Sequence, residues 1–205
     1  ARQPAGIKFH FPYPTGGHCD DACNWEANDK HSTTLVSEDA QSAVLKRTLD
    51  ATTYYVTISW EGAAKLREKS ANYFVLTPTD SVFTFTCQFT PQASASPILT
   101  FAEVQQASSG HWQNYWTQGA VADFSQCTDV RAKELERRVV LSQYLLAIQC
   151  AGSTPPQETG LTYNSWFGKF HLEMIWWHQA QFALWGHPEL PVSYTHLRAH
   201  ETVLD

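Results

Sequence analysis

Apolar residues that recur at every second position constrain the first half of this chain more than any other feature. In Thr53–Trp60 the side chains of Tyr54, Val56, Ile58 and Trp60 fall on one side of an extended backbone, and the intervening residues are mostly Thr and Ser. Val82–Phe89 repeats the pattern with Phe83, Phe85, Cys87 and Phe89. Successive side chains of a strand point to opposite faces, so this spacing predicts half-buried antiparallel strands. Asn72–Thr77 reads as a further strand, ended by Pro78. The short polar stretch Glu61–Lys69 reads as a helical turn between strands. The Pro/Ser/Ala-rich stretch Pro91–Pro97 reads as a boundary.

Beyond that boundary the period changes. Phe101–Gln118 carries Phe101, Val104, Trp112, Tyr115 and Trp116 in a helical pattern that Ser108-Ser109-Gly110 weakens. Asp129 is placed to cap a second helix, with Glu134 and Glu136 in its early turns. There Leu135, Val139, Leu145 and Leu146 share a face that Val140, Tyr144 and Ile148 widen almost all round, the pattern of a helix buried among others. Gly152 and Pro155-Pro156 end it, and Lys169–Trp185 reads as a third helix stopped by Gly186 and Pro188.

Composition narrows the function. A formal net charge of −6 over 205 residues argues against nucleic acid as the partner, because phosphate binding needs clustered Lys and Arg. No apolar run is long enough for a membrane-spanning helix. Eight Trp and 13% aromatic residues are the unusual feature: aromatic faces pack on the C–H faces of sugar rings as readily as they build cores. Five Cys are an odd number for a disulfide framework. Cys19-x3-Cys23 beside His18 reads as a folded loop, a single disulfide or a local metal site, but no second ligand pair at zinc spacing accompanies it. No metal or cofactor is therefore assigned. The tail Val192–Asp205, with Ser193-Tyr-Thr-His-Leu-Arg-Ala-His-Glu-Thr202, reads as the translation of a sequencing adapter, so His196, His200 and Glu201 are given no metal role.

The polar loop between the last two helices draws most interest, since loops on a rigid scaffold tend to carry function. Gln157, Glu158, Asn164 and Trp166, with Lys169 just beyond, mix hydroxyl-binding groups with a stacking surface. A helix through Lys169–Trp185 would place Glu173 and Trp177 on one face and His178 on the opposite side. The Glu173 carboxylate accepts two hydroxyls at once, or pairs with Lys169 at i−4.

The stretch from Glu134 to Gln149, and then Pro155 to His178, resembles the six-hairpin glycosidase superfamily. It is most similar to bacterial relatives of the maltose and kojibiose phosphorylase and acid trehalase family. His111-Trp-Gln-Asn-Tyr-Trp116 resembles that family's linker helix. Gly160-Leu161 and Trp166-Phe-Gly-Lys-Phe-His-Leu-Glu173 align with its first long rim loop. Gly168 keeps the family glycine, Lys169 and Leu172 stand where the family has His and Trp, and Glu173 stands where an aspartate holds sugar hydroxyls. The resemblance implies an α+β multidomain fragment: part of an antiparallel β-sandwich (1–97), a linker helix region (98–128), and the first helical hairpin of an (α/α)6 barrel (129–191), followed by the adapter-like residues 192–205. It further implies a glycoside hydrolase in an extracytoplasmic bacterial setting, acting by an inverting acid/base mechanism whose general acid lies on a later barrel loop. A phosphorylase of the same fold and a non-catalytic carbohydrate-binding protein are the alternatives. The implied partner is a carbohydrate, bound by Gln157, Glu158, Asn164, Trp166, Lys169, Glu173, Trp177 and His178.

Overall fold

The structure is a computed structural model that describes residues 6–94, 98–152 and 154–190. The adapter-like tail and residues 95–97 of the expected boundary lie outside these. In chain order the elements are β1 (Ile7–His10), β2 (Tyr13–Pro14), β3 (Cys19–Asp20), β4 (Cys23–Asn24), β5 (His31–Glu38), β6 (Ser42–Leu49), β7 (Thr52–Trp60), β8 (Ala64–Ser70), β9 (Tyr73–Pro78), β10 (Phe85–Thr90), α1 (Phe101–Gln118), α2 (Ala132–Cys150), β11 (Asn164–Ser165), a 3-10 turn (Trp166–Gly168) and α3 (Met174–Leu184). The chain forms two compact units: Ala1–Thr15 with Cys23–Ser109, and Gly16–Ala22 with Gly110–Asp205.

The first unit holds two larger antiparallel sheets, ordered β1-β9-β8 and β10-β7-β6-β5, and the short pair β2-β4. The two larger sheets share one core of Ala43, Leu45, Val56, Ile58, Trp60, Leu66, Phe74 and Leu76, with Ile7, Phe9, Phe83, Phe85 and Cys87 packed against it. The buried residues of β7, Val56, Ile58 and Trp60, are among those the alternation marks, and in β9 the buried side chains are Phe74, Leu76 and Pro78. Glu61–Lys69 differs from expectation: most of it is strand β8, not a helical turn. Only Leu66 of that strand is buried, and its other positions carry Lys, Arg and Glu because β8 is a sheet edge.

In β6 the third inward position, after Ala43 and Leu45, is Arg47, only 2% exposed. Its Nη1 donates to His31 Nδ1 at 2.8 Å, Thr33 Oγ1 at 2.8 Å, Asn72 Oδ1 at 3.1 Å and the Ser32 carbonyl at 3.3 Å. The guanidinium lies 4.8 Å from the Phe11 ring and 5.9 Å from that of Tyr54. Among the described residues no carboxylate forms an ion pair with it, so neutral acceptors and aromatic faces hold the buried charge. A guanidinium has only donors, and this fixes His31 Nδ1 as an acceptor and the imidazole as neutral.

The second unit contains α2, α3 and α1 from Gly110 onward, and here the barrel expectation is overturned. The described residues form four small sheets and three α-helices, with no closed barrel. A helix of a closed ring buries its sides against neighbours, whereas Leu135, Leu141, Tyr144, Leu145 and Ile148 of α2 are all exposed; only Ala132, Gln143 and Cys150 are buried. Single contacts between its helices and the segment after α3 tie this unit together. The Tyr115 hydroxyl donates to the Gln143 carbonyl at 3.4 Å, Gln179 Nε2 donates to the Cys150 carbonyl at 2.9 Å, and the His187 ring stacks on Tyr115 at 4.1 Å. Asp129 accepts the Arg131 amide at 2.8 Å just ahead of α2. None of the three helices is long and apolar enough to cross a membrane.

Burial first, and then Arg47, hold His31 below its ordinary value of 6.5, against an opposing pull from Asp29. The folded first unit therefore binds fewer protons at this site than the unfolded chain does. The resulting stability is complete above pH 6.5 and falls as the pH drops from there toward the folded value. Urea unfolding followed by β-sheet circular dichroism is expected to show a lower midpoint at pH 5 than at pH 7.5, and His31→Gln is expected to reduce that difference.

Candidate functional site

The loop after α2 is organised from its ends inward. Gln157 and Gly160 form an isolated bridge closed by the Gly160 amide on the Gln157 carbonyl at 3.1 Å. Gln149 of α2 accepts the Leu161 amide at 2.7 Å, and the Thr159 hydroxyl donates to the Tyr163 carbonyl. Asn164 and Ser165, both buried, then form β11 and pair antiparallel with Asp20 and Cys19 of β3, which belong to the same unit.

Beyond that ladder the backbone turns left-handed for three residues. Trp166 has φ 48, Phe167 φ 62 and Gly168 φ 66. Only glycine adopts this region freely; for bulky residues it costs roughly 1–2 kcal/mol each, and such strain gathers at functional sites. Both rings are nevertheless presented to solvent, Trp166 at 48% and Phe167 at 50% exposure. The Phe167 amide donates to the His18 carbonyl at 3.2 Å, and the Lys169 amide to the Trp166 carbonyl at 3.3 Å. The His18 ring lies 4.8 Å from Trp166 and 5.2 Å from Phe167, both edge-on. His171 meets Trp166 at 5.9 Å, and Lys169 Nζ stands 5.9 Å over the Phe167 ring.

Polar side chains adjoin the turn. Asn164 Nδ2 donates to the Gly17 carbonyl at 2.7 Å and to Asp20 Oδ1 at 3.0 Å. The Ser165 hydroxyl donates to Glu158 Oε2 at 3.0 Å, and Cys19 Sγ lies 3.9 Å from the same hydroxyl. A Cβ on Gly168 would meet Asn164 Oδ1 at 2.8 Å and Gln157 Oε1 at 3.5 Å, so both amides border the turn. His178, buried in α3, is held below its ordinary value of 6.5 by that burial, while the main chain and charge of Glu158 pull it the other way. His178 Nδ1, His171 Nε2, Gln179 Oε1 and Gln181 Oε1 are buried without hydrogen-bond partners.

The expected residues thus fall into two groups. Gln157, Glu158, Asn164, Trp166, Lys169 and His178 are brought together around the turn. Glu173 and Trp177 are exposed at the start of α3, and no hydrogen bond or ring contact joins them to it. The helix begins at Met174 rather than Lys169, because the backbone at Lys169 is still extended; Glu173 is its N-cap residue, and the Lys169–Glu173 ion pair does not form among the described residues. Sequence reasoning missed the part played by Gly17, His18 and Asp20, which lie more than 140 residues from Asn164. The turn-rich run Gly16-Gly-His-Cys-Asp-Asp-Ala22 was their only local signal. Cys19, Cys87 and Cys127 are free thiols, and no group of three potential metal ligands occurs among the described residues.

The rings form a surface platform. A groove of about 800 Å³ in the same unit is lined by Trp116, Val130, Lys133, Arg137, Val140 and Tyr144 among others, and none of its residues comes from Gln157–His178. Comparison with known proteins gives no match among family models, curated proteins or solved structures.

Gly168 is the hinge of this geometry. Gly168→Ala adds a Cβ at φ 66 that meets the Asn164 side chain, and is expected to lower the stability of the second unit by about 1–3 kcal/mol. Thermal unfolding followed by tryptophan fluorescence checks this.

Proposed function

We propose that this chain binds carbohydrate on the Trp166 platform and does so in the service of glycoside cleavage. One observation carries the binding half: two consecutive aromatic residues are held in a left-handed turn, half-exposed, with the His18 and His171 rings and the Lys169 ammonium against them. An indole fixed in place stacks on the C–H face of a sugar ring without first losing rotamer freedom, which is why a preorganised ring binds better than a mobile one. Lys169 and His171, which lie against the two rings, then offer hydrogen-bonding groups to ring hydroxyls.

The hydrolytic half of the proposal rests on the resemblance of Glu134–His178 to six-hairpin glycosidases. An inverting hydrolase needs a carboxylic acid and a carboxylate about 6.5–9.5 Å apart across the scissile bond. Glu158 already accepts from Ser165, and Asp20 from Asn164 and Ala22, so both are assigned to the support of the platform. No described carboxylate is given the general-acid role. A purely binding role is the second reading, favoured by this engagement of Glu158 and Asp20.

Calorimetric titration with maltose, kojibiose, trehalose and cellobiose tests the binding. At least one disaccharide is expected to bind, with Trp166→Ala weakening it about tenfold or more. Unchanged affinity in that variant, or no binding to the native chain, would refute the platform. The 205-residue chain is also expected to leave p-nitrophenyl glycosides intact; their release of nitrophenol would return Glu158 to a catalytic role.

A further inference from the structure

A left-handed Trp-Phe pair relaxes unless something outside the turn holds it, and the structure shows what does. The Asn164 carboxamide is 4% exposed, and its Nδ2 donates to both the Gly17 carbonyl and Asp20 Oδ1. Asp20 Oδ1 in turn accepts the Ala22 amide at 2.8 Å, which shapes the short segment that carries His18. Gly17 has no room for a side chain, since a Cβ there would sit 2.1 Å from Asp20 Oδ2. His18 then supplies both the carbonyl that accepts the Phe167 amide and the ring beside Trp166 and Phe167. Each contact leads to the next, from Asn164 through Gly17 and Asp20 to His18 and back to the strained turn.

We propose that Asn164 and Asp20 are positioning residues of the platform: they hold Trp166 in place by latching Gly16–Ala22 to β11, and neither touches the ligand. Both amide protons of Asn164 are held by this chain, so its part in recognition passes through the turn it fixes. Its Oδ1, packed against Gly168, reinforces the requirement for glycine there. The inference rests on the carbohydrate reading only for the identity of the ligand; the latch itself is read without one.

A four-member cycle of native chain, Asn164→Asp, Asp20→Asn and the double variant tests it, with hydrogen exchange at the Phe167 amide and titration with kojibiose and maltose as readouts. Asn164→Asp sets two carboxylates against each other and removes the donor to Gly17. It is expected to speed Phe167 exchange, and to weaken binding, by about tenfold, with exchange within α2 unchanged to show that only the turn has opened. Asp20→Asn alone keeps an acceptor and has the smaller effect. Combined with Asn164→Asp it restores a donor–acceptor pair and is expected to recover most of the protection. The latch is overturned if Phe167 exchange in Asn164→Asp equals that of the native chain, or if the double variant is no better protected than Asn164→Asp. If the protection pattern follows the latch but the native chain binds none of maltose, kojibiose, trehalose and cellobiose, the latch stands and the carbohydrate reading fails.

Discussion

Everything specific about the second unit depends on one small antiparallel ladder, Asn164-Ser165 against Cys19-Asp20, and on the buried carboxamide at its edge. Two residues on each strand make a weak sheet, and an isolated pair of strands is marginal in water. Here the side chains reinforce it: Asn164 bonds across to Gly17 and Asp20, and Ser165 bonds back to Glu158. With the ladder in place, the next three residues are driven left-handed and two aromatic rings are set outward. Strain of this kind persists only where surrounding contacts over-determine it.

The two units are stabilised by different means. The first encloses eight buried core residues between two sheets and tolerates a buried arginine because six polar or aromatic neighbours surround its guanidinium. The second relies on single hydrogen bonds between helices and leaves much of the apolar surface of α2 and α3 in contact with solvent, including Trp176, Trp177 and Leu184. That difference is why the (α/α)6 reading fails. All-round apolarity of a helix sequence signals burial among partners, but the described helices do not supply those partners to one another.

Three strands of the first unit were legible, because a two-residue period survives in β7, β9 and the packed part of β10, whereas β1 and β5 went unread. Strand β8 was hidden because an edge strand carries charge on most positions, and β6 because Arg47 occupies an inward position where an apolar residue is the usual signal. The α1 boundaries followed from Phe101 and Gln118. At the site, residue types alone pointed to Glu158, Asn164, Trp166 and Lys169, since hydroxyl-binding groups beside an indole stand out in a loop. What could not be read was the conformation: nothing about Trp or Phe marks a left-handed turn, and so the helix was begun at Lys169 instead of Met174. The brace from Gly17 to Asp20 is a long-range contact, and no local pattern encodes its partner.

The most direct measurement of the central claim is a proton–nitrogen correlation spectrum of the tryptophan indoles during titration with kojibiose and maltose, with Trp166 assigned through Trp166→Phe. The account predicts that the Trp166 indole signal shifts and saturates while that of Trp60, buried in the first unit, stays still. A Trp166 signal that never moves, with Trp176 or Trp177 responding instead, would contradict it.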